Sequence, residues 1–237
     1  MTRQNTPTLV SALLIVTCSI WGTGCQSTDM SIRSQSKTPV LDLRQDPPAL
    51  VELFDHWNQS SDFLEPTIIK VRANSEYLWI DYYASDRSIE STHTDRDSET
   101  FRDDCVEIFI AAPEAHPSTA IGIEMNTNGA ISDYRYTERN RFDHSLDLKG
   151  VQNTCSPIEA FPENISLKGP GYNHSIRLQL SEIYETLQVS KNEKWLRINF
   201  ARWNTTGKKR TFTIWSDSDQ YRPHPHNTKR YGWIRLP

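Results

Sequence analysis

The sequence offers little that would take the chain across a membrane, onto nucleic acid or through a catalytic cycle. Its apolar run at residues 9–20 is too short to cross a bilayer as a helix, which needs about 20 apolar residues. The formal charge is −4, with 26 Lys and Arg against 30 Asp and Glu, so no basic excess exists for a phosphate backbone. No nucleic-acid partner is expected. Neither G-x-S-x-G nor H-E-x-x-H occurs, which removes two common hydrolytic machineries. No internal repeat is visible. Helical periodicity is equally scarce. Only residues 181–188 read as a helix, with Ser181 as a candidate N-cap and Ile183 and Leu187 on one side.

What is present begins at the N-terminus. Residues 1–24 combine Arg3, the apolar run and the small residues Gly22, Thr23 and Gly24 directly before Cys25. This is the layout of a secretory signal, and its end resembles the bacterial lipobox. The resemblance implies that Cys25 becomes the lipidated first residue of an exported, membrane-anchored lipoprotein of the cell envelope. Ordinary cleavage and free secretion is the alternative. Residues 25–38 are polar and rich in Ser, Thr and Gln, a composition too poor in apolar surface to fold, and they read as a disordered tether. Residues 39–237 remain as one domain. Of four cysteines, Cys105 and Cys155 fall in that domain, and export makes a disulfide between them possible, with two free thiols as the alternative.

The domain reads as many short strands. Residues 67–73 and 77–83 are β-branched and aromatic, with the turn Asn74-Ser75-Glu76 between them. Residues 105–111 alternate, placing Val106, Ile108 and Ile110 on one face and Glu107 with Phe109 on the other. Residues 119–126 and 130–136 flank a compact turn containing Gly129. Residues 174–180, 194–202, 210–215 and 231–236 are further candidates, and residues 204–207 look like another hairpin turn. Such spacing predicts an all-β, antiparallel β-sandwich of immunoglobulin or jelly-roll type with one short helix. Residues 85–100 and 136–169 are long, polar and without periodicity, and read as loops that could carry a binding surface.

Four segments in order resemble the family 9 carbohydrate-binding modules and their DOMON-like relatives: Tyr77 to Asp86, Asp103 to Ile110, Ile123 to Gly129, and the closing stretch through Trp195, Trp215 and Pro225 to Leu236. The resemblance covers roughly residues 40–237. It implies a sugar slot in which an aromatic ring lies on the C–H face of a pyranose while polar groups take the rim hydroxyls. Matched by position, Phe101 is the aromatic platform, and Glu107, Glu124 and Asn126 are the hydroxyl-binding groups. Pro225 stands near the place of the family's second platform, which leaves Tyr221, His224 or His226 as substitutes. Trp79, Trp195 and Trp215 read as core.

The implied function is non-catalytic binding of an oligo- or polysaccharide, in support of xylan- or cellulose-type breakdown. No cofactor is required, although Asp81, Asp86, Asp95 and Asp97 could offer oxygens to calcium. Three other functions compete. Glu107 and Glu124 could act as a glycosidase pair. Met125 with His174, His224 or His226 could ligate haem, as in some relatives of the family. A structural or interaction lipoprotein with a degenerate sugar site is the third.

Overall fold

Side chains that alternate with period two along β-strands decide which residues face inward here. The computed structural model describes residues 38–57, 65–114, 119–137 and 141–237. The signal, Cys25 and the tether up to residue 37 lie outside the described residues. Among them the strands are β1 (Val40–Asp42), β2 (Ala49–Glu52), β3 (Thr67–Ala73), β4 (Tyr77–Ser85), β5 (Cys105–Ala111), β6 (Thr119–Asn126), β7 (Ile131–Thr137), β8 (Arg141–Asp143), β9 (Gln152–Ile158), β10 (Gly171–Gln179), β11 (Trp195–Thr206), β12 (Lys209–Ile214) and β13 (Gly232–Arg235). Among the described residues one α-helix, α1 (Leu180–Leu187), follows β10.

The strands form two sheets. The larger runs β1-β13-β11-β5-β6-β7-β8, with β12 also paired to β11, and the smaller runs β2-β3-β4-β10-β9. The expected sandwich is therefore present. Pairing is antiparallel except at one edge, where β1 and β13 run parallel.

Between the sheets lies the main core. Val106, Ile108 and Ile110 of β5 and Ile121, Ile123 and Met125 of β6 meet Ile80 and Tyr82 of β4 and Ile176 and Leu178 of β10. Each such side chain contributes about 1.5–3 kcal/mol on burial. In α1, Leu180, Ile183, Tyr184 and Leu187 are buried at helical spacing. The helix begins one residue before Ser181, so Gln179 occupies the N-cap without a side-chain bond.

A second apolar cluster covers the opposite face of the larger sheet: Phe109, Ala111, Ala120, Tyr134, Tyr136, Ala201, Phe212, Ile214 and Tyr231. An antiparallel sheet often leaves one face to water. Here that face is covered, and all nine of these residues are buried.

Arg202 closes one end of the inter-sheet space. It is 1 % exposed, and its guanidinium donates to the Glu65 carbonyl at 3.0 Å, Thr67 Oγ1 at 3.2 Å, the Ser85 carbonyl at 3.0 Å and Asp86 Oδ2 at 2.9 Å. Asn204 accepts another of its hydrogens, while its own Nδ2 donates to Glu65 Oε2 at 3.0 Å. The Asn204 and Thr206 side chains both bond within this network. That is why β11 runs on to Thr206 and the turn tightens around Gly207, at φ 63°, instead of occupying residues 204–207.

Several expectations are corrected. Trp79 is not core: it is half-buried on the outer face of the smaller sheet, with the Arg72 guanidinium 4.2 Å from its ring centroid. The possible disulfide is not formed, and Cys105 and Cys155 are free thiols. By alternation with Val106, Cys105 faces away from the smaller sheet, whereas Cys155 packs toward the core from β9. The segment read as a loop at 136–169 contains the end of β7 and all of β8 and β9.

Candidate functional site

The outer face of the larger sheet carries the site, and strand register assembles it. Glu107 on β5 stands directly opposite Glu124 on β6, which stands opposite Ser132 on β7. The next rung is Phe109, Gly122 and Tyr134. A Cβ added to Gly122 would come within 2.4 Å of the Tyr134 ring. Glycine at this position lets the tyrosine lie flat across β6 toward Glu124.

Above these rungs is a cavity of about 450 Å³. Its floor is Glu107, Glu124, Ser132 and Tyr134, and its walls are Phe101, Phe142, His144, Trp203, Pro225, His226 and the loop residues Asp97, Ser98 and Glu99. Phe101 and Phe142 form a partly exposed rim at 36 % and 43 %. Glu107 and Glu124 are 2 % and 7 % exposed.

Like charges directly opposite on adjacent strands repel, and burial adds a larger cost to ionising either one. Burial first, and Glu124 second, hold the Glu107 carboxyl well above the usual carboxylate range, against smaller opposing effects of Arg210 and a hydrogen bond from Trp203. Burial also raises Glu124, opposed by hydrogen bonds from Tyr134 and Thr100. Those bonds measure 2.8 Å from Tyr134 Oη to Oε1 and 3.2 Å from Thr100 Oγ1 to Oε2. Glu124 is thus fully engaged. Glu107 Oε2, by contrast, is buried and has no hydrogen-bond partner.

His226 joins the aromatic wall. Its ring centroid lies 4.7 Å from Tyr136 and 5.0 Å from Phe142. Its Nε2 is 3.1 Å from Tyr134 Oη. Since that hydroxyl gives its proton to Glu124, Nε2–H of a neutral imidazole is the donor to the same oxygen. Burial, reinforced by His224, pushes the His226 pKa down to about 3, which keeps the ring neutral.

Of the residues expected at the site, Phe101, Glu107, Glu124 and His226 come together. Asn126 and Tyr221 do not. Asn126 is fully buried, and its side chain is consumed locally. Nδ2 donates to the His93 carbonyl at 2.8 Å and Asp103 Oδ2 at 2.7 Å, and Oδ1 accepts from Ala130 N–H at 2.9 Å. With Asp103, which also accepts from His93 N–H at 3.0 Å, it fastens the loop that carries Phe101. Tyr221 is 87 % exposed and lies against Arg222, outside the cavity lining.

Sequence reading missed Ser132, Tyr134, Phe142, His144 and Trp203. Ser132 and Tyr134 were accessible in principle: counting across the Gly129 hairpin from Glu124 places both on its face. Phe142 and His144 lie on and just beyond a three-residue edge strand that carries no periodic signal.

The calcium reading, and the pairing of Met125 with His226 in the haem reading, are not supported by placement. Asp86 is committed to Arg202, and among the described residues no three His, Cys, Asp or Glu side chains converge to hold a metal. Met125 lies in the closed core between the sheets, on the face of β6 opposite Glu124, so it cannot share an iron with His226.

No protein-family model matches the chain, and no curated protein matches it. Solved structures do. A protein from Bacteroides uniformis, named as a candidate carbohydrate-binding protein, superposes with a TM-score of 0.64 at 14% identity, over 84% of this chain and 97% of that one. This is a likeness of fold. A family 9 carbohydrate-binding module from Caldicellulosiruptor kristjanssonii in complex with cellotriose gives 0.47 at 16% identity, over 84% and 93% of the two chains. A family 9 module from the same organism in complex with glucose gives 0.46 at 17%, over 85% and 96%.

Proposed function

We propose that this domain binds a saccharide without transforming it, seating a pyranose unit in the cavity on the outer face of the larger sheet. The observation that carries the reading is the convergence of Phe101, Glu107, Glu124 and His226, far apart in sequence, around one cavity. Aromatic edges and faces suit the C–H surface of a sugar ring, and the carboxyl groups suit its hydroxyls. Trp203, Tyr134 and Phe142 supply the aromatic surface that Pro225 does not. The two glutamates stand side by side on one floor, which fits holding a ring better than flanking a scissile bond.

Titration calorimetry against glucose, cellobiose, xylobiose and longer xylans tests this reading. Saturable binding is expected, weakened about tenfold by Phe101→Ala through loss of the stacked ring. Silence across the panel from folded protein would exclude it. Release of nitrophenol from aryl glycosides would show catalysis instead.

We further propose that the chain is exported and held at the bacterial envelope through lipid on Cys25, where it captures oligo- or polysaccharide, of the xylan or cellulose type that the resemblance implies, for breakdown. Metabolic labelling with an alkynyl fatty acid is expected to mark the protein and to fail on Cys25→Ser. Equal labelling of both would rule out that anchor.

A further inference from the structure

We propose that the cavity is shaped for a protonated amino sugar, an aldohexosamine unit, in preference to a neutral or acidic one. This rests on the saccharide reading and names its substrate class; the ligand would then be an amino-sugar glycan in place of xylan or cellulose.

Charge is the first argument. Among the lining residues are four acidic side chains, Asp97, Glu99, Glu107 and Glu124, and no lysine or arginine; burial disfavours ionisation of the two glutamates, and a bound cation beside them would favour it. The nearest cation acting on Glu107 is Arg210, and its guanidinium is stacked on the Trp203 ring, 4.1 Å from the centroid, and is not part of the lining. A uronic acid would add a negative charge to this group.

The second argument is independent of the acidic cluster. Glu107, 2 % exposed, lines the cavity with Oε2 unpartnered. A buried acceptor left empty is costly, and a ligand that brings an N–H to it recovers that cost. A hydroxyl could reach the same oxygen, but a charge-assisted bond is about twice as strong as a neutral one. The aromatic walls sharpen the choice, because the rings of Tyr134 and Phe142, which unlike Phe101 and Trp203 have no arginine over them, attract a cation as well as C–H bonds. A quaternary ammonium would satisfy the rings and not Oε2, having no N–H to give. A primary ammonium on a pyranose satisfies both.

The experiment is calorimetric titration of the purified protein at about pH 6.5, where an amine remains protonated, with glucosamine, glucose, N-acetylglucosamine and glucuronate. Glucosamine is expected to bind about tenfold more tightly than glucose. N-acetylglucosamine, which has lost the charge, and glucuronate should both fall below glucosamine by at least that factor. In Glu107→Gln the amine preference should shrink to about twofold or less, and Glu124→Gln provides the same readout if the first variant does not fold. Glucose binding as tightly as glucosamine overturns the inference and leaves the saccharide reading intact. N-acetylglucosamine matching glucosamine overturns it too, as does a preference that survives both substitutions. Binding of none of the four sugars overturns the inference, and the saccharide reading is then decided by the cellobiose, xylobiose and xylan titrations.

Discussion

Replacing Arg202 with methionine is expected to destabilise the domain by about 3–5 kcal/mol, the cost of leaving one member of a buried ion pair without its partner. Methionine keeps most of the aliphatic stem, so the loss is electrostatic more than volumetric. Asp86, whose side chain is fully buried beside Arg202, already has its carboxyl raised by burial despite the guanidinium. Without the arginine it must take up a proton or stay charged and unpaired. Asp104 is affected as well: burial pushes its pKa up to about 7, and Arg202 is one of the groups opposing that rise. At roughly 2–4 °C per kcal/mol for a domain of this size, Tm should fall by about 10 °C. Chemical denaturation of Arg202→Met, Asp86→Asn and the double variant closes a cycle, and Asp86→Asn should cost clearly less in the methionine background. A single Arg202→Met variant within about 1 kcal/mol of the parent would remove the argument for an electrostatic plug.

Glu107→Gln should have the opposite sign. The folded carboxyl is raised by burial and by Glu124, whereas in the unfolded chain it ionises near the ordinary glutamate value of 4.5. A raised carboxyl contributes stability below the unfolded pKa and loses it as pH climbs toward the folded one. Each retained proton then costs about 1.4 kcal/mol per pH unit. Glutamine does not titrate, so the variant should gain on the parent by about that amount per unit above roughly pH 5. Over two units this is about 2–3 kcal/mol, or about 5–10 °C in Tm. The lowered pKa values of His226, about 3, and His174, about 4, act in the reverse direction, removing stability as pH falls below 6.5. They are common to both proteins and cancel in the difference. Thermal unfolding of parent and variant from pH 5 to 8 measures it, and parallel curves would mean that the glutamate titrates normally in the fold.

Where alternation was strong, sequence predicted structure closely. The bounds read for β3, β5 and β6 are those observed, because each alternates cleanly between a packed face and its opposite. The strands that went unseen, β1, β2, β8 and β9, are the edge strands of the two sheets: β8 is exposed throughout, and β9 carries polar residues on both sides with Pro157 among them. An edge strand accommodates proline because one side of it has no ladder to complete. At the site, a position on a strand fixed the face and so recovered Glu107 and Glu124. What it could not fix was which polar groups were already used. Asn126 shares a face with Glu124, yet three local hydrogen bonds take it out of the cavity. Trp203 was hidden differently: the assumed turn at 204–207 ended β11 one residue too soon to carry its alternation through to the tryptophan.

The parallel pairing of β1 with β13 has a practical outcome. Residue 38 and Pro237 flank strands that are hydrogen-bonded neighbours at one margin of the larger sheet, whereas Phe142 sits on β8 at the other margin. A label, a bead or a fused protein attached at either position would join the margin formed by β1 and β13, not the β8 margin that carries Phe142. Attachment there leaves the Phe142 side of the pocket rim untouched.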